Sequence, residues 1–158
     1  MAWNRVGQPL TPAHRSAPLD VARLDAGGGA VTADLGNAYP AVEKWIRHVE
    51  WTASTLRVRD ELVLKSPDIA LFRWHLGAPA KDVRWFRGQL PAESVTLSPG
   101  LLTGNGFRIR YDASQPLAER METMPDATLG HRSEHHCLVV RSAKPVRNMI
   151  LNTLVETD

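Results

Sequence analysis

The sequence predicts an all-β protein, an antiparallel β-sandwich of about ten short strands with an irregular N-terminal arm. Three observations support this fold class. Apolar and polar residues alternate with a period of two over Thr55–Leu64, as expected for a strand with one buried face. Turn-forming residues recur about every 8–12 residues, which is the spacing typical of a sandwich. No segment shows the sustained periodicity of a long amphipathic helix.

The central element of the prediction is a hairpin of two extended runs, Glu43–Trp51 and Thr55–Leu64. Trp45 and Trp51 have the same parity in the first run, so they share a face of the sheet. In the second run one face is mostly apolar. Its members are Leu56, Val58, Asp60, Leu62 and Leu64.

The chain before this hairpin predicts an arm and one further hairpin. Met1–Pro18 contains three prolines, which fix φ and remove backbone donors, so we expect irregular structure there. Leu19–Asp25 and Ala30–Leu35 are predicted strands joined at the glycines of 27–29. The predicted sandwich domain therefore comprises residues 19–158.

The chain after the hairpin predicts further short strands separated by turn signals. A turn at Ser66-Pro67-Asp68 precedes a strand with Ala70, Phe72, Trp74 and Leu76 on one face. The predicted strands are Ile69–Leu76, Val83–Phe86, Ser94–Leu97, Leu101–Leu102, Phe107–Tyr111, Leu117–Met124, Glu134–Arg141 and Val146–Val155. For Leu117–Met124 one helical turn is the alternative.

Composition limits the classes of partner. The 158 residues carry a net charge of only +2, which is too small an excess for a nucleic-acid-binding surface. No segment is long and apolar enough to span a membrane, and the N-terminus lacks the pattern of a signal peptide. Most basic residues are Arg, which suits contacts with carboxylate or sulfate. The same bias also fits a GC-rich genome with solvated strand faces.

Two single residues invite a chemical interpretation. Asp60 shares the parity of its apolar neighbours, so we expect a buried carboxylate tied to backbone amides or to an Arg. A catalytic carboxylate is the alternative, but no partner acid or base stands out nearby. Cys137 lies in an apolar run and has no second cysteine, so we expect a small buried hydrophobic residue without a disulfide.

His131, His135 and His136 lie close together in the sequence. Adjacent residues of a strand point to opposite faces, so His135 and His136 cannot both bind one metal ion. The zinc-protease HExxH pattern is also absent. We therefore predict no metal site from this cluster. The chain also lacks GxSxG, a phosphate loop, GxGxxG and catalytic-triad spacing, so we identify no catalytic residue in it.

Aromatic residues next to arginines are the best candidates for a saccharide contact. Arg84, Trp85 and Arg87 form one such group, since aromatic faces stack on sugar rings and Arg binds uronate or sulfate. Arg73 and His75, which share one face of a predicted strand, form a second group. The alternative is that Trp85 packs into the core or against a neighbouring domain.

Several short motifs follow one another in an order that resembles a known family. Each motif is weak by itself, and the order and spacing give them their specificity. They are Asp34–Pro40 (DLGNAYP), Trp45–Val49 (WIRHV), Val58–Leu64 (VRDELVL), Ile109–Ser114 (IRYDAS), Glu134–Val140 (EHHCLVV) and, less clearly, Asn4–Gln8 (NRVGQ).

These motifs resemble the heparinase II/III family of polysaccharide lyases, in the region C-terminal to the catalytic helical toroid. The resemblance covers about Val31–Glu156. It implies β-elimination of uronate-containing acidic polysaccharides by the whole enzyme, and a periplasmic or secreted location in bacteria. The family's catalytic Tyr and His or Asn lie in or beside the toroid, and its structural zinc or other divalent metal has ligands upstream. The resemblance therefore implies no cofactor in this chain and structural roles for Tyr39 and Tyr111.

Three functions remain open on the sequence. The first is a non-catalytic region that supports the toroid domain of the same protein or of a neighbouring chain, and lines an acidic-polysaccharide cleft. The second is a stand-alone carbohydrate-binding module. The third is a sandwich that serves only protein–protein contacts. The first predicts an exposed apolar patch where the toroid would dock, whereas a closed polar surface favours an independent module.

Overall fold

The structure is a computed structural model and describes residues 18–76, 95–126 and 133–158, without the side chains of 123–126 and 133–135. Strands dominate it, with one short 3₁₀ turn at Gly36–Ala38. The strands are β1 (Leu19–Asp25), β2 (Gly28–Asp34), β3 (Val42–Thr52), β4 (Thr55–Asp68), β5 (Leu71–Leu76), β6 (Thr96–Ser98), β7 (Leu101–Gly104), β8 (Phe107–Ala113), β9 (Leu117–Asp126), β10 (Ser133–Ser142) and β11 (Val146–Thr157).

The strands form two antiparallel sheets of very different size. The large sheet has eight strands in the order β1-β2-β3-β4-β11-β8-β7-β6, and the small sheet has three in the order β5-β10-β9. All observed pairings are antiparallel. The predicted all-β sandwich is therefore confirmed.

The core lies between the two sheets. Phe72, Leu138 and Val140 come from the small sheet, and Leu62 and Leu151 are among those from the large sheet. The ring of Trp45 meets that of Phe72 edge to face, with 6.2 Å between centroids, and so joins the two layers. The remaining buried members are Val42, Leu64, Ala70, Leu76, Leu102, Ile109, Tyr111 and Met149.

The central hairpin forms as predicted. In β3 and β4, Trp45 pairs with Leu62, Arg47 with Asp60 and Trp51 with Leu56. Because side chains alternate along a strand, this register places both tryptophans on the face that carries Asp60. The predicted buried face of β4 is also found, with Leu56 half-buried and the other members buried.

The predicted turn at Ser66-Pro67-Asp68 is wrong. β4 continues to Asp68, where it pairs with Val146 of β11 after an irregularity in the register. The pairing of β4 with β3 stops at Leu64, so the missing amide of Pro67 costs no hydrogen bond to β3. β5 consequently begins at Leu71, two residues later than predicted.

Some predictions lie outside the described residues, namely the arm over residues 1–17 and the strand Val83–Phe86. In the described part of the chain, no helix is long and apolar enough to cross a membrane.

Candidate acidic-ligand site

Arg73 and His75 lie on one face of β5 with their side chains exposed, as predicted, while Phe72 and Leu76 on the other face are buried and Trp74 is half-buried. The alternation of β5 therefore presents both basic side chains on the outer face of the small sheet. The other predicted contact residues, Arg84, Trp85 and Arg87, lie outside the described residues.

The register of the small sheet brings further charged residues to this face. Arg73 pairs with Val139 of β10, and Val139 pairs with Arg120 of β9. His75 pairs with Cys137, and Cys137 pairs with Glu122. Arg141 lies one row further along β10. We call Arg73, His75, Arg120, Glu122 and Arg141 the outer-face cluster.

Glu122 is the acidic centre of the outer-face cluster. Its carboxylate accepts a hydrogen bond of 2.8 Å from Nε of Arg120 and lies 4.0 Å from Nε of Arg73. Both arginines are more than 40% exposed, so water competes with these ion pairs and each contributes little stability. Two of the guanidinium groups of the cluster, those of Arg73 and Arg120, therefore lie within ion-pair distance of this one carboxylate.

The centre of β10 forms the floor of the outer-face cluster. Cys137 and Val139 are fully buried although they share the outer face with Arg73. Burial raises the pKa of the Cys137 thiol, and the positive charge of Arg73 opposes this only in part. The thiol is therefore protonated at neutral pH and suited to packing, which confirms the predicted small hydrophobic role.

The outer-face cluster could bind an anion. Arginine presents planar donors that match carboxylate or sulfate oxygens in pairs. The exposed arginines and His75 stand on a rigid sheet, so a flat acidic ligand would meet several donors at once. Sequence analysis missed Arg120, Glu122 and Arg141, because their proximity to Arg73 depends on the pairing of β5, β10 and β9, which sequence periodicity does not give.

Asp60 occupies a different, fully satisfied site between the sheets. It is 1% exposed, and its Oδ1 accepts hydrogen bonds from Trp45 Nε1 at 2.6 Å and Arg47 Nε at 2.8 Å. A third bond of 3.1 Å joins Arg47 Nη2 to Oδ2. The predicted pairing of the Asp60 carboxylate with an arginine is confirmed. The Trp45 partner was missed, because the register of β3 against β4 that brings it to Asp60 is not given by the parity of either strand.

The predicted structural roles of the tyrosines also agree with the structure. Tyr111 is a buried core residue, and Tyr39 packs on Trp45 with 5.1 Å between ring centroids. Burial raises the pKa of Tyr111, and the neighbouring Glu119 carboxylate raises it further. A phenol in this environment holds its proton tightly, so Tyr111 is poorly suited to act as a base at neutral pH.

The histidine cluster is only partly within the described residues. His131 lies outside them, and the side chain of His135 is not described. His136 is half-buried on β10, in register with Leu76 of β5. Within the described ranges, no three His, Cys, Asp or Glu side chains are grouped so that they could hold a metal ion.

Comparison with known proteins gives similarity in structure only. No protein-family model matches the chain, and the search of curated proteins finds no match. Among solved structures the chain is similar to a heparinase III, with a TM-score of 0.64 and 12% identity, over 88% of this chain and 21% of that one. A second heparinase III matches with a TM-score of 0.61 and 10% identity, covering 89% of this chain and 21% of that one.

A third match is the heparan sulfate lyase HepC from Pedobacter heparinus, with a TM-score of 0.58 and 13% identity, covering 89% of this chain and 21% of that one. The chain thus spans about a fifth of the length of the structures it matches. At these identities the likeness establishes the fold, which is that of one region of these enzymes. The predicted resemblance to heparinases is confirmed at that level.

Proposed function

We propose that this chain is the C-terminal β-sandwich region of a heparinase II/III-type polysaccharide lyase and that it is non-catalytic by itself. The observation that carries the proposal is the shared fold over 88% of this chain, within only 21% of a heparinase III. The ordered motifs from Asp34 to Val140 support the same assignment. The region would brace a helical toroid domain and border the substrate cleft, in a periplasmic or secreted enzyme.

The described chemistry supports a scaffold role. Tyr111 is buried in the core, Tyr39 packs against it, and the carboxylate of Asp60 accepts hydrogen bonds from Trp45 and Arg47. An elimination needs a group that removes the proton beside the uronate carboxylate and a cation that neutralises that carboxylate. The outer-face cluster can supply the cation, but Cys137 on its floor is a protonated, buried thiol.

The test of this proposal is an activity measurement on the isolated chain. Incubation with heparin, heparan sulfate or alginate is expected to release no unsaturated uronide, measured by ultraviolet absorbance. The DNA upstream of Met1 is expected to encode a helical region with the family's catalytic Tyr and His. Release of unsaturated product by the chain alone would show that the non-catalytic assignment is wrong.

A carbohydrate-binding module is the second candidate function, and the exposed arginines of the outer-face cluster, Arg73 and Arg120, favour it. We expect the chain to bind immobilised heparin and the double variant Arg73→Ala/Arg120→Ala to elute at lower salt. The control Arg57→Ala/Arg108→Ala removes the same charge from exposed positions of the large sheet. If both double variants show the same decrease in the salt concentration needed for elution, the attraction to heparin is non-specific, and this result would contradict a binding site at this face.

The predicted contacts of Arg84, Trp85 and Arg87 stay predictions and have their own test. Loss of heparin affinity in a folded Trp85→Ala variant would support a saccharide contact there. A sandwich without affinity for any acidic polysaccharide would instead favour the third function, protein–protein contacts alone.

A further inference from the structure

Among the residues that the structure describes, one face of β1 is apolar and exposed, and no second layer lies over it. Leu19, Val21 and Leu24 are 61%, 51% and 72% exposed. A bulge between Val21 and Arg23 shifts the register by one residue, so Leu24 returns to the face of Leu19 and Val21. Exposed aliphatic side chains collected on one face of one strand are unusual for a protein surface.

The apolar face continues across the sheet in register. Leu19, Val21 and Leu24 pair with Ala33, Val31 and Gly29 of β2, which pair in turn with Arg47, Val49 and Trp51 of β3. Arg47 is the one charged member of these rows, and Asp60 holds it. We call the remaining apolar residues the apolar strip: Leu19, Val21, Leu24, Val31, Ala33, Val49 and Trp51.

The apolar strip is an extension of the core face. Through β3 and β4 the same face leads to Leu62, Met149 and the other core residues of the large sheet. At a strand spacing of about 4.8 Å, eight strands span about 34 Å and three span about 10 Å. The small sheet therefore cannot cover the large one, and within the described ranges no residue of β1 or β2 belongs to the core. A sandwich face of this kind needs a second layer.

The chemistry of the apolar strip favours a protein partner. Its exposed members, Leu19, Val21 and Leu24, are aliphatic and offer neither the stacking surface nor the donors that an acidic sugar requires, and the Trp51 ring lies against Gly29 of the sheet. Each matched heparinase structure has most of its length outside the matched region, since this chain corresponds to 21% of it. The rest of such a chain is a large protein mass that could supply the missing layer. A second copy of this chain has no comparable support.

We propose that the apolar strip is the docking surface for the remaining region of the lyase polypeptide, which covers it with an apolar layer continuous with the core. This inference rests on the proposed function and adds to it the contacting residues. The predicted apolar patch of a docking region thus has a location, β1 and β2 of the large sheet.

The experiment uses the chain together with the polypeptide encoded directly upstream of Met1, co-expressed or as one protein if the frame is continuous. Hydroxyl-radical labelling read by mass spectrometry reports the exposure of Leu19, Val21 and Leu24. We expect their labelling to fall several-fold in the longer protein relative to the chain alone. The triple variant Leu19→Ser/Val21→Ser/Leu24→Ser should stay folded, because β1 lies outside the core, and should lose association in trans.

A matched control changes the other face of the same strand, Asp20→Ser/Ala22→Ser/Arg23→Ser, and should associate like the wild type. If the two regions associate while labelling of the apolar strip is unchanged, the inference is wrong and the proposed function stands. If no upstream lyase region exists or associates, both fail. Loss of labelling through dimerisation of the chain alone would identify a second copy as the occupant and would overturn the inference.

Discussion

At the residue scale, the clearest structural role belongs to Asp60. A carboxylate with 1% exposure would be costly without partners. Trp45 and Arg47 supply three hydrogen bonds from the adjacent strand. Arg47 also lies over the Trp45 ring at 5.1 Å, a favourable cation–π distance. The three residues therefore stabilise one another and fix the register of β3 against β4.

We expect Asp60→Ala to lower the free energy of unfolding by about 3 kcal/mol, the lower end for a broken buried ion pair. The lower end applies because Arg47 is about one-third exposed and can be hydrated when its partner is lost. The control is Glu61→Ala, the next residue, whose exposed pairs with Lys44 and Arg59 should contribute less than about 1 kcal/mol. Urea denaturation of the two variants measures both free energies of unfolding. Equal decreases in the two variants would contradict the role of Asp60.

Tyr111 gives an expected dependence of stability on alkaline pH. The pKa of an unfolded tyrosine is about 10, and burial with Glu119 nearby raises the pKa of Tyr111 in the folded chain. Above about pH 10 the unfolded chain loses a proton that the native chain keeps, so the free energy of unfolding falls as pH rises. Tyr111→Phe should make this decline shallower, as measured by denaturation at several pH values. The control Tyr39→Phe keeps Tyr111 and should keep the wild-type decline, and identical slopes in all three proteins would contradict the assignment.

At the scale of elements, the packing of β2 against β3 depends on glycine. The Trp51 ring lies over Gly29, where a Cβ would be only 2.2 Å from Cζ2 of the ring. At Gly28, φ is +151° and a Cβ would meet the carbonyl oxygen of Trp51 at 2.0 Å. From the sequence, the glycines at 27–29 predicted a turn with the next strand beginning at Ala30. In the structure the turn ends earlier, and β2 already begins at Gly28. Close approach of β3 explains why strand residues here are glycines.

We expect Gly29→Ala to destabilise the chain by about 1–3 kcal/mol, because the methyl group displaces the Trp51 ring. Gly27→Ala is the control, since its nearest neighbour is the flexible carboxylate of Asp25 at 3.2 Å. Thermal unfolding gives the stability, and tryptophan fluorescence reports the ring displacement. A Gly29→Ala variant as stable as Gly27→Ala would show that Trp51 does not occupy this position.

At the scale of the whole molecule, two faces have different chemistry and therefore different proposed partners. The outer face of the small sheet carries exposed arginines around Glu122, which suits an acidic ligand. The exposed side chains of β1 in the large sheet, Leu19, Val21 and Leu24, are aliphatic and therefore suit contact with a protein partner. Between them the core joins the two sheets through the contact of Phe72 with Trp45, so we expect the two sheets to unfold as one cooperative unit.

We expect Phe72→Ala to lower the free energy of unfolding by about 3–5 kcal/mol. Leu71→Ala changes the neighbouring, half-buried residue on the other face of β5 and should cost less. Hydrogen exchange of β3 and β10 amides in each variant shows whether both sheets open together. Independent opening of the small sheet, with β3 fully protected, would contradict one cooperative core.

The sequence by itself determined the alternating elements, the buried side of β4, the burial of Asp60 and the sandwich class, because period-two patterning is a local property of the chain. It also placed Arg73 and His75 together on one face of β5. Only the tertiary structure decided which strands are neighbours, since register depends on pairing between residues far apart in sequence. That pairing assembled Arg120 and Glu122 beside Arg73, and placed Leu19, Val21 and Leu24 as exposed side chains on the edge strand of the large sheet.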